Sequence, residues 1–162
     1  QIVSIIECYS SFFLHFDQER GFGDKNRIDV WWGGKDRNAE LMLLLSHLFT
    51  LHPSWRGANV RLLRVVDKEE GRETAELFMG EMLEDIRVDA QPVVIVRDDP
   101  EQRISNIIRE ESHQSDLTFM GMKVPELEEI PDYAKYLTDL VNDLGTVMLV
   151  RSAQTEDVLE TG

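Results

Sequence analysis

Short apolar runs of β-type composition alternate with longer segments of helical period. That alternation constrains the fold more than any other feature of the chain. The runs occupy residues 27–32, 59–66, 92–96, 116–120 and 146–150. Three of them are nearly continuous in apolar residues, the pattern of parallel strands covered on both faces. Four segments of helical period lie between them. The first is capped by Asn38 and carries Leu41, Leu44, Leu45, Leu48 and Phe49 on one face, and His52-Pro53 ends it. The second, about 70–87, places Ala75, Phe78, Met79, Met82 and Ile86 three and four apart, with Gly80 inside it. The third starts with Asp99 as N-cap, Pro100 at N1 and Gln102 at N3, and buries Ile104, Ile107 and Ile108. The fourth runs from Pro131 through Tyr133, Tyr136, Leu137, Leu140, Val141 and Leu144 to a stop at Gly145.

The order predicts a doubly wound, three-layer α/β sandwich with a mainly parallel five-stranded sheet. Residues 27–151 form this domain. Residues 1–26 stand outside the alternation. Ile2, Val3, Ile5 and Ile6 read as a helix, residues 12–16 continue it or form an extra strand, and residues 21–26 are a linker. Residues 152–162 read as a flexible polar tail.

Charge narrows the partners. The 162 residues hold 17 Lys+Arg against 31 Asp+Glu, a net charge of −14. Residues 1–66 are nearly neutral, with 7 acids and 8 bases, whereas residues 67–162 hold the excess acid. Such a chain repels a phosphate backbone and an anionic lipid surface, so neither nucleic acid nor direct lipid binding is expected. A hydrophobic content of 42% is enough for a packed core. The single Cys8 excludes an internal disulfide and a Cys-based zinc site, and His15, His47, His52 and His113 show no metal-ligand spacing. No apolar run of about 18 residues is present. The sequence opens on Gln1 rather than Met, which leads us to expect part of a larger protein.

Ligands of open α/β sheets bind beyond the carboxyl ends of the strands, at the switch in strand order. The first such loop, Gly33-Gly34-Lys35-Asp36-Arg37-Asn38, is a candidate anion cradle through Gly33, Gly34, Lys35, Arg37 and Asn38. A tight turn that needs glycine explains the same residues. The loop matches neither Gly-x-Gly-x-x-Gly nor the Walker pattern, and no nucleophile elbow occurs. No catalytic residue, metal ligand or cofactor is assigned. Trp31 and Trp32 are adjacent on a strand and must point to opposite faces, so one packs under each helical layer or one reaches a partner.

Five stretches together resemble a known family. Ile28-Asp29-Val30-Trp31-Trp32, the helix with Leu43-Leu44-Leu45, and Trp55-Arg56 before Val60-Arg61-Leu62 come first. Ser115-Asp116-Leu117-Thr118-Phe119-Met120 and Val147-Met148-Leu149-Val150-Arg151 follow in order. They are similar to the C-terminal cytosolic domain of the cation–chloride cotransporters, over residues 27–151. Gly33-Gly34 follows the Trp pair at once, without the acidic pair usual in eukaryotic members, and the long regulatory inserts are absent. The chain therefore resembles a compact prokaryotic form. The resemblance implies a fold similar to universal stress proteins and the second of two such lobes. It implies a non-catalytic regulatory and dimerisation role on the cytoplasmic side of the cell membrane. The partners would be the chain's own transmembrane transport domain, which moves chloride with sodium and/or potassium, and a second copy. The family's ion sites lie in membrane helices, so none is carried over. The motif residues Ile28, Asp29, Val30, Trp31, Trp32, Trp55, Ser115, Asp116, Phe119, Met120 and Arg151 would have structural or interface roles. The alternative is a nucleotide-binding sensor domain of universal-stress-protein type. It is disfavoured because Gly121-Met122-Lys123-Val124 lacks the glycine-rich stretch expected after the fourth strand.

Overall fold

The computed structural model describes residues 9–34 and 37–153. Its strands are β1 (Ser11–His15), β2 (Arg27–Trp31), β3 (Asn59–Val66), β4 (Gln91–Val96), β5 (Leu117–Gly121) and β6 (Val147–Arg151). Its helices are α1 (Asn38–Leu51), α2 (Arg72–Ile86), α3 (Ile104–Ser112) and α4 (Ile130–Val141). The strands form one sheet in the order β1-β6-β5-β2-β3-β4, parallel except for β1, which pairs antiparallel with β6.

The doubly wound α/β reading is borne out, with six strands where the alternation gave five. The additional edge strand β1 comes from residues 11–15, so the sheet takes in chain ahead of residue 27. Its Phe12, Phe13 and Leu14 remain exposed. An edge strand covered on neither side shows no clear face preference, which is why periodicity left it open between helix and strand. The helix expected around Ile2–Ile6 and the tail from residue 154 lie outside the described residues.

α1 and α2 cover one face of the sheet, over a core that includes Ile28, Val30, Leu62 and Phe119. α3 and α4 cover the other, over Trp31, Leu63, Met120 and Leu149. Trp31 and Trp32 are both buried and serve opposite cores, as neighbouring strand residues must.

Four helix details differ from expectation. The buried face of α1 is Asn38, Ala39, Met42, Leu43 and Ser46, while Leu44 and Leu48 point outward. A helix apolar all round has no single stripe to read, and packing chose the face with the smaller residues at its ends. The cap of α1 is Arg37, without a side-chain bond. Asn38 is the first helical residue, and its Oδ1 instead accepts from the Ser152 N–H at 2.7 Å. Asp99 does not cap α3. Its carboxylate accepts from the Glu101 N–H in a turn closed by Gln102 N–H to Asp99 O, and the helix begins at Ile104. In α2 the buried residues are Ala75, Met79 and Leu83, and Phe78 is exposed.

Candidate functional site

β2 is the first strand, in chain order, of the parallel part of the sheet. The chain moves outward from it to β3 and β4 and then returns to its other side with β5. The switch in strand order is therefore the gap between the carboxyl ends of β2 and β5, where Trp31 pairs in register with Met120. A cleft of about 230 Å³ opens there. Trp31, Gly33, Met120 and Gly121 form its floor, and Ile104, Tyr133, Tyr136 and Leu140 are among its walls. Among the described residues, no charged side chain lines it. The rings of Tyr133 and Tyr136 stack at 6.3 Å, and the Tyr133 hydroxyl accepts from the Lys123 N–H at 3.1 Å. Burial pushes the Tyr136 hydroxyl pKa up, and Tyr133 adds to the rise, so that phenol stays protonated at neutral pH.

The loop after β2 is next to this cleft. Gly34 has φ +91, and a Cβ there would meet the Arg64 guanidinium at 2.6 Å. The left-handed backbone favours glycine here, and a Cβ would also oblige the Arg64 side chain to move. Arg64 lies 4.8 Å from the centroid of the Trp32 ring, and Phe78 stacks on that ring at 5.5 Å. Gly33 and Arg37 are exposed, Asn38 is buried against Gly121, and Lys35 lies outside the described residues.

Behind the cleft is a buried ionic network centred on Asp29. Its carboxylate is fully buried and accepts two bonds from Arg61, at 2.8 Å each. It accepts two more from Arg27 at 3.1 Å and one from the Ser112 hydroxyl at 2.7 Å. Ser112 in turn accepts from Trp31 Nε1 at 2.9 Å. Both guanidiniums also donate to the Glu111 carbonyl, at the carboxyl end of α3 where cations suit the helix dipole. One network thus ties β2, β3 and α3 together and sets the Trp31 ring in the cleft floor. Burial alone would raise the Asp29 pKa, but the bonds from Arg61, Arg27 and Ser112 outweigh it and hold the carboxyl below the ordinary range.

Asp116 performs a similar task at the opposite end of the sheet. Its carboxylate accepts the N–H groups of Asp24, Asn26 and Arg27 at 2.7–3.1 Å and so fixes the segment leading into β2. Ser115 is buried and its hydroxyl donates to the Leu117 carbonyl at 2.9 Å. Trp55 and Phe119 belong to the α1–α2 core with Ile28 and Val30, and Met120 belongs to the other. Arg151 is buried at the end of β6.

The motif residues therefore fall into two sets. Asp29, Trp31 and Met120 join the network to the cleft, while Trp55, Ser115, Asp116 and Phe119 pack elsewhere. Arg27, Arg61 and Ser112 were not singled out from the sequence as partners of Asp29. An acid in a buried strand beside an in-register arginine, Asp29 opposite Arg61, is the signal that points to them. Among the described residues, no group of three or more His, Cys, Asp or Glu side chains is placed to hold a metal ion. Among the same residues, no helix is long and apolar enough to cross a membrane.

Comparison with known proteins follows the same lines. The model of solute carrier family 12 matches residues 10–103. No curated protein matches the chain. Among solved structures, the cytoplasmic domain of a prokaryotic cation chloride cotransporter matches over 98% of this chain, with a TM-score of 0.66 at 16% identity. The chain spans 60% of that domain's length.

Proposed function

The chain belongs to solute carrier family 12, and on that premise we propose that it is a cytosolic regulatory and dimerisation domain of a membrane cotransporter moving chloride with sodium, potassium or both. The observation that carries the reading is the family match over residues 10–103, supported by a fold like that of a cotransporter cytoplasmic domain. In this reading the chain is the second of two α/β lobes. Its body is residues 11–151, with β1 included in the sheet. The domain sits on the cytoplasmic side of the cell membrane. Its partners are the transporter's own membrane domain and a second copy. It performs no catalysis. A net charge of −14 holds it off anionic headgroups and nucleic acid. The motif residues act structurally, with Asp29 and Trp31 joining β2 to α3.

Reconstituting the intact transporter with and without this domain tests the proposal. Expected is chloride-dependent uptake of rubidium or sodium tracer, with a rate altered several-fold by removal of the domain. Uptake indifferent to chloride, or unchanged by removal, overturns it.

A second reading, a nucleotide-binding sensor, is favoured by the position of the cleft at the strand switch and its stacked tyrosines. Thermal unfolding with ATP or ADP separates the two. Saturable binding stabilises by about 2.7 kcal/mol at a hundredfold excess over Kd, whereas an unchanged midpoint at millimolar nucleotide excludes the sensor.

A further inference from the structure

We propose that two copies of this chain meet through the free edge of β1. The two β1 strands pair antiparallel about a two-fold axis at Phe13 and join both sheets into one. The proposal rests on the homodimer reading above and names its surface.

The two edges of the sheet are built differently. An edge presents unpaired N–H and C=O groups, and proteins blunt such edges with proline, charge or a bulge. This sheet ends in β4 and β1. β4 is blunted: it carries Pro92, which has no N–H to offer, and leads directly into Arg97-Asp98-Asp99. β1 has none of these devices. Ser11–His15 holds no proline, acid, lysine or arginine, and its register on β6 runs through five consecutive pairs without a bulge. Among the described residues, β6 is its only neighbour strand. Phe12, Phe13 and Leu14 flank the free edge at 48%, 59% and 49% exposure. An edge of this kind is completed by another uncharged, apolar strand.

A second copy supplies that strand. Pairing β1 with β4 of another copy would run head to tail without closing, and Pro92 and the charges beside β4 oppose it. Pairing β1 with β1 closes. An axis through Phe13, normal to the sheet, sets Phe13 against Phe13, Phe12 against Leu14 and Ser11 against His15. No other centre uses all five residues of both strands. The faces match as well. Phe12 and Leu14 stand opposite Val150 and Met148, on the α1–α2 side, and Phe13 stands opposite Leu149, on the other side. The axis preserves sides, so each exposed apolar side chain gains an apolar neighbour across the new pair. Charge agrees with this edge. On a chain of net −14, two copies must meet where acid is scarce. α2, with five acids and one arginine, packs on β3 and β4 at the opposite side of the sheet. β4 is five strand spacings from β1, about 24 Å, so the two α2 helices stay far apart. Glu40 of α1 faces α2, beside Glu81 and Asp85, and not β1. Asp17 is the acid next after β1 in the chain, and its two copies lie about 26 Å apart along the paired strands. That exceeds the screening length of about 8 Å at physiological salt.

A pair of five-residue strands covers less than the roughly 1,200 Å² of a standard interface. The edge alone therefore specifies a weak, concentration-dependent dimer. Tethering two copies to one membrane supplies the effective concentration that such an edge needs.

Sedimentation of the whole 162-residue chain up to about 0.5 mM reads the association directly. Expected is a monomer–dimer equilibrium whose Kd rises about tenfold or more in Phe13→Lys, which sets two like charges across the axis. At low micromolar concentration the variant should unfold in urea together with wild type, because Phe13 is exposed in the monomer. Amide exchange over residues 11–15 should slow as the wild-type concentration rises and stay fast in the variant. Cysteine cross-linking in a Cys8→Ser background fixes the register. Ser11→Cys/His15→Cys should form a disulfide-linked dimer, because the two positions face each other about 5 Å apart. Ser11→Cys alone should not, because its two copies lie about 13 Å apart along the strands. A wild-type dimer that Phe13→Lys leaves equally tight, or cross-linking by Ser11→Cys alone, overturns the β1 pairing and leaves the homodimer reading intact. So does a dimer whose β1 amides are already fully protected in the monomer, because another part of the same chain then covers the edge. A wild-type chain that is monomeric throughout overturns both.

Discussion

Asp29→Asn keeps the shape of a fully buried side chain and removes its charge from the point where two guanidinium groups converge. Wild-type Asp29 accepts five hydrogen bonds, two from Arg61, two from Arg27 and one from Ser112. In the variant one carboxylate oxygen becomes an NH2 group facing cations that can only donate. Removing one partner of a buried ion pair costs about 3–5 kcal/mol. The side chains of Arg61 and Arg27 are 14% and 25% exposed, so some water reaches both cations. Glu111, 3.5 Å from Arg61, remains as an opposite charge. Both facts place the cost at the lower end, about 3 kcal/mol. With a urea slope of about 2 kcal/mol/M, the midpoint should fall by about 1.5 M at unchanged slope. A fall of less than about 0.3 M would refute the reasoning, because the network would then contribute no more than an exposed pair. The pH dependence provides a second check. Asp29 has a folded-state pKa below its ordinary value of 3.8, so its stabilisation is fully present above that value and is lost as pH falls through the lowered one. The gap between wild type and variant should hold from neutral pH to about pH 5 and narrow only in stronger acid. A gap that narrows as pH rises contradicts the assignment.

Two further substitutions test neighbouring parts of the structure. Ser112→Ala removes the acceptor of the buried Trp31 Nε1–H and one donor to Asp29, which should cost about 2 kcal/mol in urea unfolding. Combined with Trp31→Phe it should cost clearly less than the two single changes together, by about 1 kcal/mol, because both remove the same bond. Gly23→Ala forces a side chain into a left-handed backbone at φ +51, with Cβ only 2.1 Å from the Asp116 carboxylate. A loss of about 2–3 kcal/mol is expected. Faster amide exchange at Asn26 and Arg27, whose N–H groups Asp116 holds, should accompany it.

How far the sequence carries depends on which contacts define each part. The strands β2 to β6 were legible as apolar runs between helical segments, three of them nearly continuous as burial on both faces requires, whereas the helix expected to stop at Gly145 ends at Val141. The buried face of α1 was not legible, since Leu and Met surround the helix and only contact with the sheet distinguishes Met42 and Leu43 from Leu44 and Leu48. The turn at Asp99–Gln102 carries every local mark of a helix start, and the helix begins only at Ile104. Of the Asp29 network the sequence shows the acid and hides its partners. Ser112 lies 83 residues away and Arg61 lies 32 away, and only the register of β2 on β3 and the docking of α3 bring them together.

The antiparallel pairing of β1 with β6 has a mechanical consequence. Ser11 sits opposite Arg151, and the Ala153 N–H reaches the Ser10 hydroxyl at 3.2 Å, so the first and last described residues emerge side by side. Tension applied between Tyr9 and Ala153 does not shear the ladder. It loads the β1–β6 hydrogen bonds one pair at a time from the Ser11 end, as a zipper opens. Such bonds yield sequentially rather than together, so a pull on both ends peels β1 away at low force and leaves the five parallel strands closed. The sheet thus carries a compliant edge strand in series with a stiff parallel core.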